Sequence, residues 1–171
     1  MSKSGITGRE EQLPAASVAQ AWALGTLRVA RYTINAGATR GDPAPGSTAA
    51  LLKFLANTTV VLDGPELRPG DLILNVLTDC LEIFGDADSG DNTQLTIRFN
   101  DGSTQTDIVA ATTIGGAPFS SVSRVLAVQD FATAGDWLKL TLNTRVEVVV
   151  SDDQNIDDGL MDIYVFYVSG D

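Results

Sequence analysis

The stretch Gln94-Leu95-Thr96-Ile97-Arg98-Phe99-Asn100-Asp101-Gly102-Ser103-Thr104-Gln105-Thr106-Asp107-Ile108 alternates apolar and polar residues on both sides of an Asp-Gly pair. A period of two marks a strand with one buried face. Asp101-Gly102 is a favoured two-residue hairpin turn. Such a turn pairs Phe99 with Thr104, Ile97 with Thr106 and Leu95 with Ile108, which gathers the apolar side chains on one side.

The same grammar extends in both directions. Leu27, Val29 and Arg31 alternate with Arg28, Ala30 and Tyr32, giving a strand to Ile34. Thr58 to Leu62 is a short apolar strand, while Leu51 to Leu55 fits either helix or strand. Pro69-Gly70 introduces a long strand, Leu72 to Phe84, with Leu72, Leu74, Val76 and Cys80 on one face. The parity then changes, because Leu81 and Ile83 are apolar and Glu82 is charged. A β-bulge or bend after Cys80 produces that shift. Val122 to Val128 is a further strand. Trp137 to Val150 keeps one apolar parity, which suits either a hairpin with a loop at Asn143 to Arg145 or one long strand. Leu160 to Val168 is apolar on both faces, so it is either central and covered on both sides or placed at a subunit contact. The sum is eight or nine strands with almost no helix, expected to form an all-β, antiparallel, jelly-roll-like sandwich over residues 25–171.

Composition narrows the chemistry. The chain has 171 residues, 44% of them hydrophobic, enough for one proper core. There are 22 acidic residues against 11 basic ones, a net charge of -11, the reverse of a free nucleic-acid binder. No histidine is present, which removes His-based catalytic dyads and imidazole metal ligation. The single cysteine, Cys80, lies mid-strand and reads as a small buried hydrophobe. The longest apolar runs are too short to cross a bilayer, and the N-terminus lacks a signal-peptide core, so synthesis in a cytoplasm is expected.

Residues 1–24 carry little β character. They read as an N-terminal arm, able to reach about 80 Å if extended, that docks Trp22 and Leu24 on a neighbour; the plainer reading is a frayed tail. Ala36 to Ser47 is a Gly- and Pro-rich loop.

Two acidic loops invite a calcium reading, since calcium takes six to eight oxygen ligands. The first contains Asp86, Asp88 and Asp91; the second contains Asp152, Asp153 and Asp157. The plainer reading is solvated turns favoured by Asp, Asn and Gly, and no metal or cofactor is expected. Among so many carboxylates some pair stands at glycosidase separation by accident, and nothing places one in an aromatic cleft. Trp137 and Phe119 could serve a glycan-binding face, although core or interface packing is the commoner use of such residues.

The segment Gly70 to Ser103 contains a Pro/Gly-introduced strand with Val76, Asp79 and Cys80 in a Val-x-x-Asp-hydrophobic pattern. Phe84-Gly85-Asp86, an acidic Gly-containing loop and Leu95-Thr96-Ile97 follow. Gly159 to Tyr167 closes the chain as Gly-x-hydrophobic-x-Ile-x-Val-x-Tyr. Together these resemble small structural proteins of tailed bacteriophages, over the part of the chain from about residue 60 to the end. The shared features are strand grammar and not a reactive motif. The resemblance implies a non-enzymatic virion component, foremost a capsid decoration or cement protein on the capsid exterior. Its partners would be the major capsid protein and copies of itself, with no nucleic acid and no membrane. Trp22, Leu24, Tyr164 and Phe166 are the expected contacts. A fibre, neck or tail accessory, and a glycan- or receptor-binding module, are the alternatives.

Overall fold

A computed structural model describes residues 27–37, 54–86, 92–127, 138–151 and 154–170. They form nine strands: β1 Leu27–Asn35, β2 Thr59–Val61, β3 Leu72–Asp86, β4 Gln94–Asn100, β5 Gln105–Thr113, β6 Arg124–Ala127, β7 Leu138–Lys139, β8 Arg145–Ser151 and β9 Ile156–Val168. Among the described residues there is no helix.

The pairing is nested around the β4–β5 hairpin. β3 pairs β6, β2 pairs β8 and β1 pairs β9, all antiparallel. Rolling that long ribbon over itself yields two sheets, ordered β1-β9-β3-β6 and β2-β8-β4-β5, with β7 extending the β6 edge of β3. This is the jelly roll that the strand count and turn spacing predict.

Alternation decides the interior. Ala30, Tyr32 and Ile34 of β1, Met161, Ile163 and Val165 of β9, and Val76 and Cys80 of β3 line the first sheet's inner face. Leu95, Ile97 and Phe99 of β4 meet them from the second sheet, with Val146, Val148 and Val150 of β8. β9 is therefore central, flanked by β1 and β3, and that is one of the two roles its two-faced apolarity allows.

Three local expectations are corrected. The hairpin turns one residue later than Asp101-Gly102: Phe99 pairs with Thr106 and Asn100 with Gln105. Of Asp101 and Gly102 only Gly102 adopts positive φ, 85°, whereas a two-residue Asp-Gly turn, of type I′, needs it at both central residues. Asp101 instead sits before the turn, its Oδ1 accepting from the Ser103 amide (2.8 Å) and the Thr104 amide (2.5 Å). Those amides, Thr104 first, hold its carboxyl below the ordinary carboxylate range. The slip of two residues keeps Thr106 on the side of Phe99, and two further register shifts between Leu95 and Arg98 set Val109 opposite Ile97 and Thr112 opposite Leu95, in place of Thr106 and Ile108.

In β3 the bulge expected after Cys80 is present between Cys80 and Glu82, but another precedes it between Ile73 and Asn75. Leu74 is the extra residue, so Ile73 enters the core in place of Leu72 and Leu74. Finally, 138–151 is neither a hairpin nor one strand. Leu138-Lys139 belongs to the first sheet and Arg145–Ser151 to the second, and the chain changes sheets between them.

Candidate functional site: the outer face of one sheet

The two outer faces differ in chemistry. On the second sheet, Val61, Glu147, Arg98 and Asp107 form one cross-strand row. Glu147 is buried there, bonded by Arg98 Nε and by Asn100 Nδ2 at 2.9 Å. Thr59, Val149 and Thr96 form the next row. Apart from Val61, which is 43% exposed, and the half-buried Val149, these rows are polar, and their buried carboxylate is paired within the sheet.

The first sheet presents apolar rows instead. Val29, Phe166 and Asn75 align across β1, β9 and β3. Arg31, Tyr164, Leu77 and Leu126 form the next row, reaching β6. Leu27 is 59% exposed, Val29 52% and Leu126 51%, while Tyr164, Phe166 and Leu77 are half-buried between them. Cys80 donates its amide to the Ser123 carbonyl, which continues the β3 edge ladder and leaves Val122 exposed further along. Tyr164 and Phe166 thus stand together on one surface. Trp22 and Leu24 lie outside the described residues, as does Trp137.

A charged row interrupts the apolar surface. Thr33, Asp162, Asp79 and Arg124 align in register across four strands. Like charges directly opposite destabilise a sheet unless something neutralises them. Here Arg31 Nη2 reaches Asp162 Oδ2 at 2.7 Å, and Arg124 Nε reaches Asp79 Oδ2 at 2.9 Å. Thr33 Oγ1 donates to Asp162 Oδ1 (2.7 Å), and the Tyr164 hydroxyl donates to Asp162 Oδ2 (3.2 Å). The carboxylate side chains are only 4% and 10% exposed, and the arginines lie over them. The bond to Asp162 and its charge raise the Arg31 pKa. Burial, then the Asp162 charge, raises that of Tyr164. Sequence reading missed this row, because alternation locates Asp79 and Asp162 on strands without revealing that they face each other.

The pair does not resemble a hydrolytic dyad. Each carboxylate is held by its own arginine on a sheet face and not in a cleft. An open cleft lies elsewhere, lined by Tyr32, Asp63, Gly64, Glu66 and Arg145, where Glu66 and Arg145 pair at 3.3 Å. Phe119, considered for glycan binding, is fully buried and packs edge-on against Phe84 with ring centroids 5.4 Å apart. It is a core residue.

Of the calcium candidates, Asp86 and Asp157 are described, and Asp88, Asp91, Asp152 and Asp153 lie outside the described residues. Asp86 directs Oδ2 at the Thr93 hydroxyl (2.6 Å) and amide (3.3 Å). Asp157 is exposed at the start of β9. Asp86 pairs with Ile156, so the β3–β4 and β8–β9 connections leave from the same end of the sandwich. Among the described residues no three His, Cys, Asp or Glu side chains are grouped to hold a metal ion.

No protein-family model matches the chain, and no curated protein matches it. Its fold is similar to chains in three solved phage capsids. The first is the cyanophage Pam1 capsid asymmetric unit (TM-score 0.48, 19% identity, 84% of this chain and 85% of that one). The second is the acidic stable capsid of Helicobacter pylori bacteriophage KHP30 (0.48, 14%, 86% and 90%). The third is the capsid of Ralstonia phage GP4 (0.49, 14%, 86% and 86%). Likeness at this level carries no functional assignment to this chain.

Proposed function

We propose that this chain is a non-enzymatic structural protein of a tailed-bacteriophage particle, a capsid decoration or cement protein bound to the capsid exterior. The observation that carries the reading is the asymmetry of the sandwich. One outer face is polar, and the other exposes Leu27, Val29 and Leu126 around Tyr164 and Phe166. Exposed apolar side chains gathered on one face, here beside the charged Asp79–Asp162 row, mark a contact with another protein. The strand grammar shared with small phage structural proteins supplies the context, and an N-terminal arm over residues 1–24 would extend the contact across a capsomer boundary.

The partners are the major capsid protein and further copies of this chain. A net charge of -11 is repelled by packaged DNA, which favours the outside of the shell over the lumen. A standard interface removes roughly 1,600 Å² from water, and repetition over a shell multiplies the gain. The test is co-sedimentation of the full-length protein with purified particles. Val29→Asp/Leu126→Asp should abolish binding while leaving the melting temperature unchanged. Undiminished binding by that variant would remove the proposed face from the account.

A further inference from the structure

We infer that the surface taken by the outer face of the β1-β9-β3-β6 sheet is acidic: an apolar patch on another protein, bordered by carboxylates. The inference rests on the reading of this face as a docking surface and adds the chemistry of what docks there. It does not require the partner to be a capsid.

Leu27, Val168, Leu72 and Lys139 align across β1, β9, β3 and β7. Lys139 is exposed, on the same outer surface as Val29 and Leu126. Arg31, Arg124 and Lys139 therefore frame the apolar rows. The frame is three strand spacings wide, about 14 Å, and runs from the Leu27 row to the Thr33 row, about 20 Å.

The chain has 22 acidic residues against 11 basic ones, yet this surface reverses the balance. Among the described residues of these rows the only carboxylates are Asp79 and Asp162, whose side chains are 10% and 4% exposed, whereas those of Arg124 and Arg31 are 74% and 57% exposed. Glu82 lies beyond the Cys80 bulge, in the row of Leu160, and is half-buried. The quartet of two arginines and two aspartates balances in formal charge, but its positive half faces solvent and its negative half is sunk in the sheet. Each arginine uses one nitrogen on its aspartate, Nη2 in Arg31 and Nε in Arg124. The other nitrogens of each planar fork lie outside those bonds, in the geometry that recognises a carboxylate. Such a surface selects its partner by sign: carboxylates around an apolar contact meet the exposed cations, and a basic border is repelled. A second copy docked face to face brings the same three cations against themselves, so the occupant is a different, acidic surface.

Anilinonaphthalene sulfonate, an apolar ring system with one negative charge, is the probe, titrated by fluorescence against the full-length protein under native conditions. It should bind saturably, and Lys139→Glu or a rise in salt should each weaken binding about fivefold. Arg145→Glu, the same charge change on a strand of the other sheet, should leave it unchanged, and Val29→Asp/Leu126→Asp should abolish it. A titration that does not saturate, or equal affinity in the natural sequence and Lys139→Glu, overturns the inference. Self-association that Val29→Asp/Leu126→Asp abolishes and salt leaves intact overturns it as well, by assigning the face to a second copy. Undiminished probe binding by Val29→Asp/Leu126→Asp counts against the docking face itself. Natural protein that takes the probe as described but does not co-sediment with particles counts against the capsid reading alone.

Discussion

Asp79 of β3 and Asp162 of β9 stand directly opposite each other across two hydrogen-bonded strands, each held by an arginine from the strand beyond. The relationship sets a hierarchy. Asp162 accepts from Arg31, Thr33 and Tyr164, so Asp162→Ala removes three bonds at once and should cost about 1–3 kcal/mol. Arg124→Ala removes a mostly exposed partner and should cost about 1 kcal/mol or less. Urea unfolding of both variants checks the order, and equal losses would contradict it.

Alkaline stability follows from the tyrosines. Burial raises the Tyr32 phenol, with Tyr167 and Asp71 adding to it, and burial and Asp162 raise Tyr164. A group whose folded pKa is raised contributes stability that is complete below its unfolded value and is lost as pH rises. The contribution of these two phenols should therefore be constant up to about pH 10 and fall above it. Absorbance titration followed alongside the melting temperature tests this; ordinary ionisation of all tyrosines in the folded state would refute it.

Two glycines should respond differently to alanine. Gly159 has φ 124°, and a Cβ there would lie 2.6 Å from the Phe84 ring. Gly159→Ala should cost about 2 kcal/mol or more. Gly102 has φ 85° with nothing within 4 Å of an added Cβ, so Gly102→Ala should cost about 1 kcal/mol, and Gly102→Asn less, since asparagine tolerates that conformation. Thermal melts rank the three, and a harmless Gly159→Ala would refute the packing described.

Cys80 is buried, and burial, then Asp79, raises its thiol pKa despite a contact with the Glu82 carbonyl. Alkylating reagents should leave it unmodified in the native protein and label it on unfolding. Prompt native labelling would contradict its place in the core.

Alternation along the chain made the jelly roll legible, and the parity change after Cys80 located a real bulge. It could not locate the bulge at Leu74, because Leu72, Ile73 and Leu74 are all apolar and either parity reads alike. Nor could it choose between a hairpin and one strand at 138–150, since Leu140 and Val146 share a parity and are both buried although the chain changes sheets between them, with Leu142 exposed at the crossing. Tyr164 and Phe166 were readable as a second apolar face because the stretch Leu160 to Val168 has charge only at Asp162. The Arg31–Asp162 and Arg124–Asp79 pairs were not, because they join residues 131 and 45 positions apart in sequence.

The most direct test of the central claim is cryo-electron microscopy of the intact particle with this chain placed in it. The account predicts a jelly roll on the capsid exterior with Val29, Tyr164, Phe166 and Leu126 against a neighbouring protein. A chain seated through the polar β2-β8-β4-β5 face, with that apolar surface turned to solvent, would contradict it.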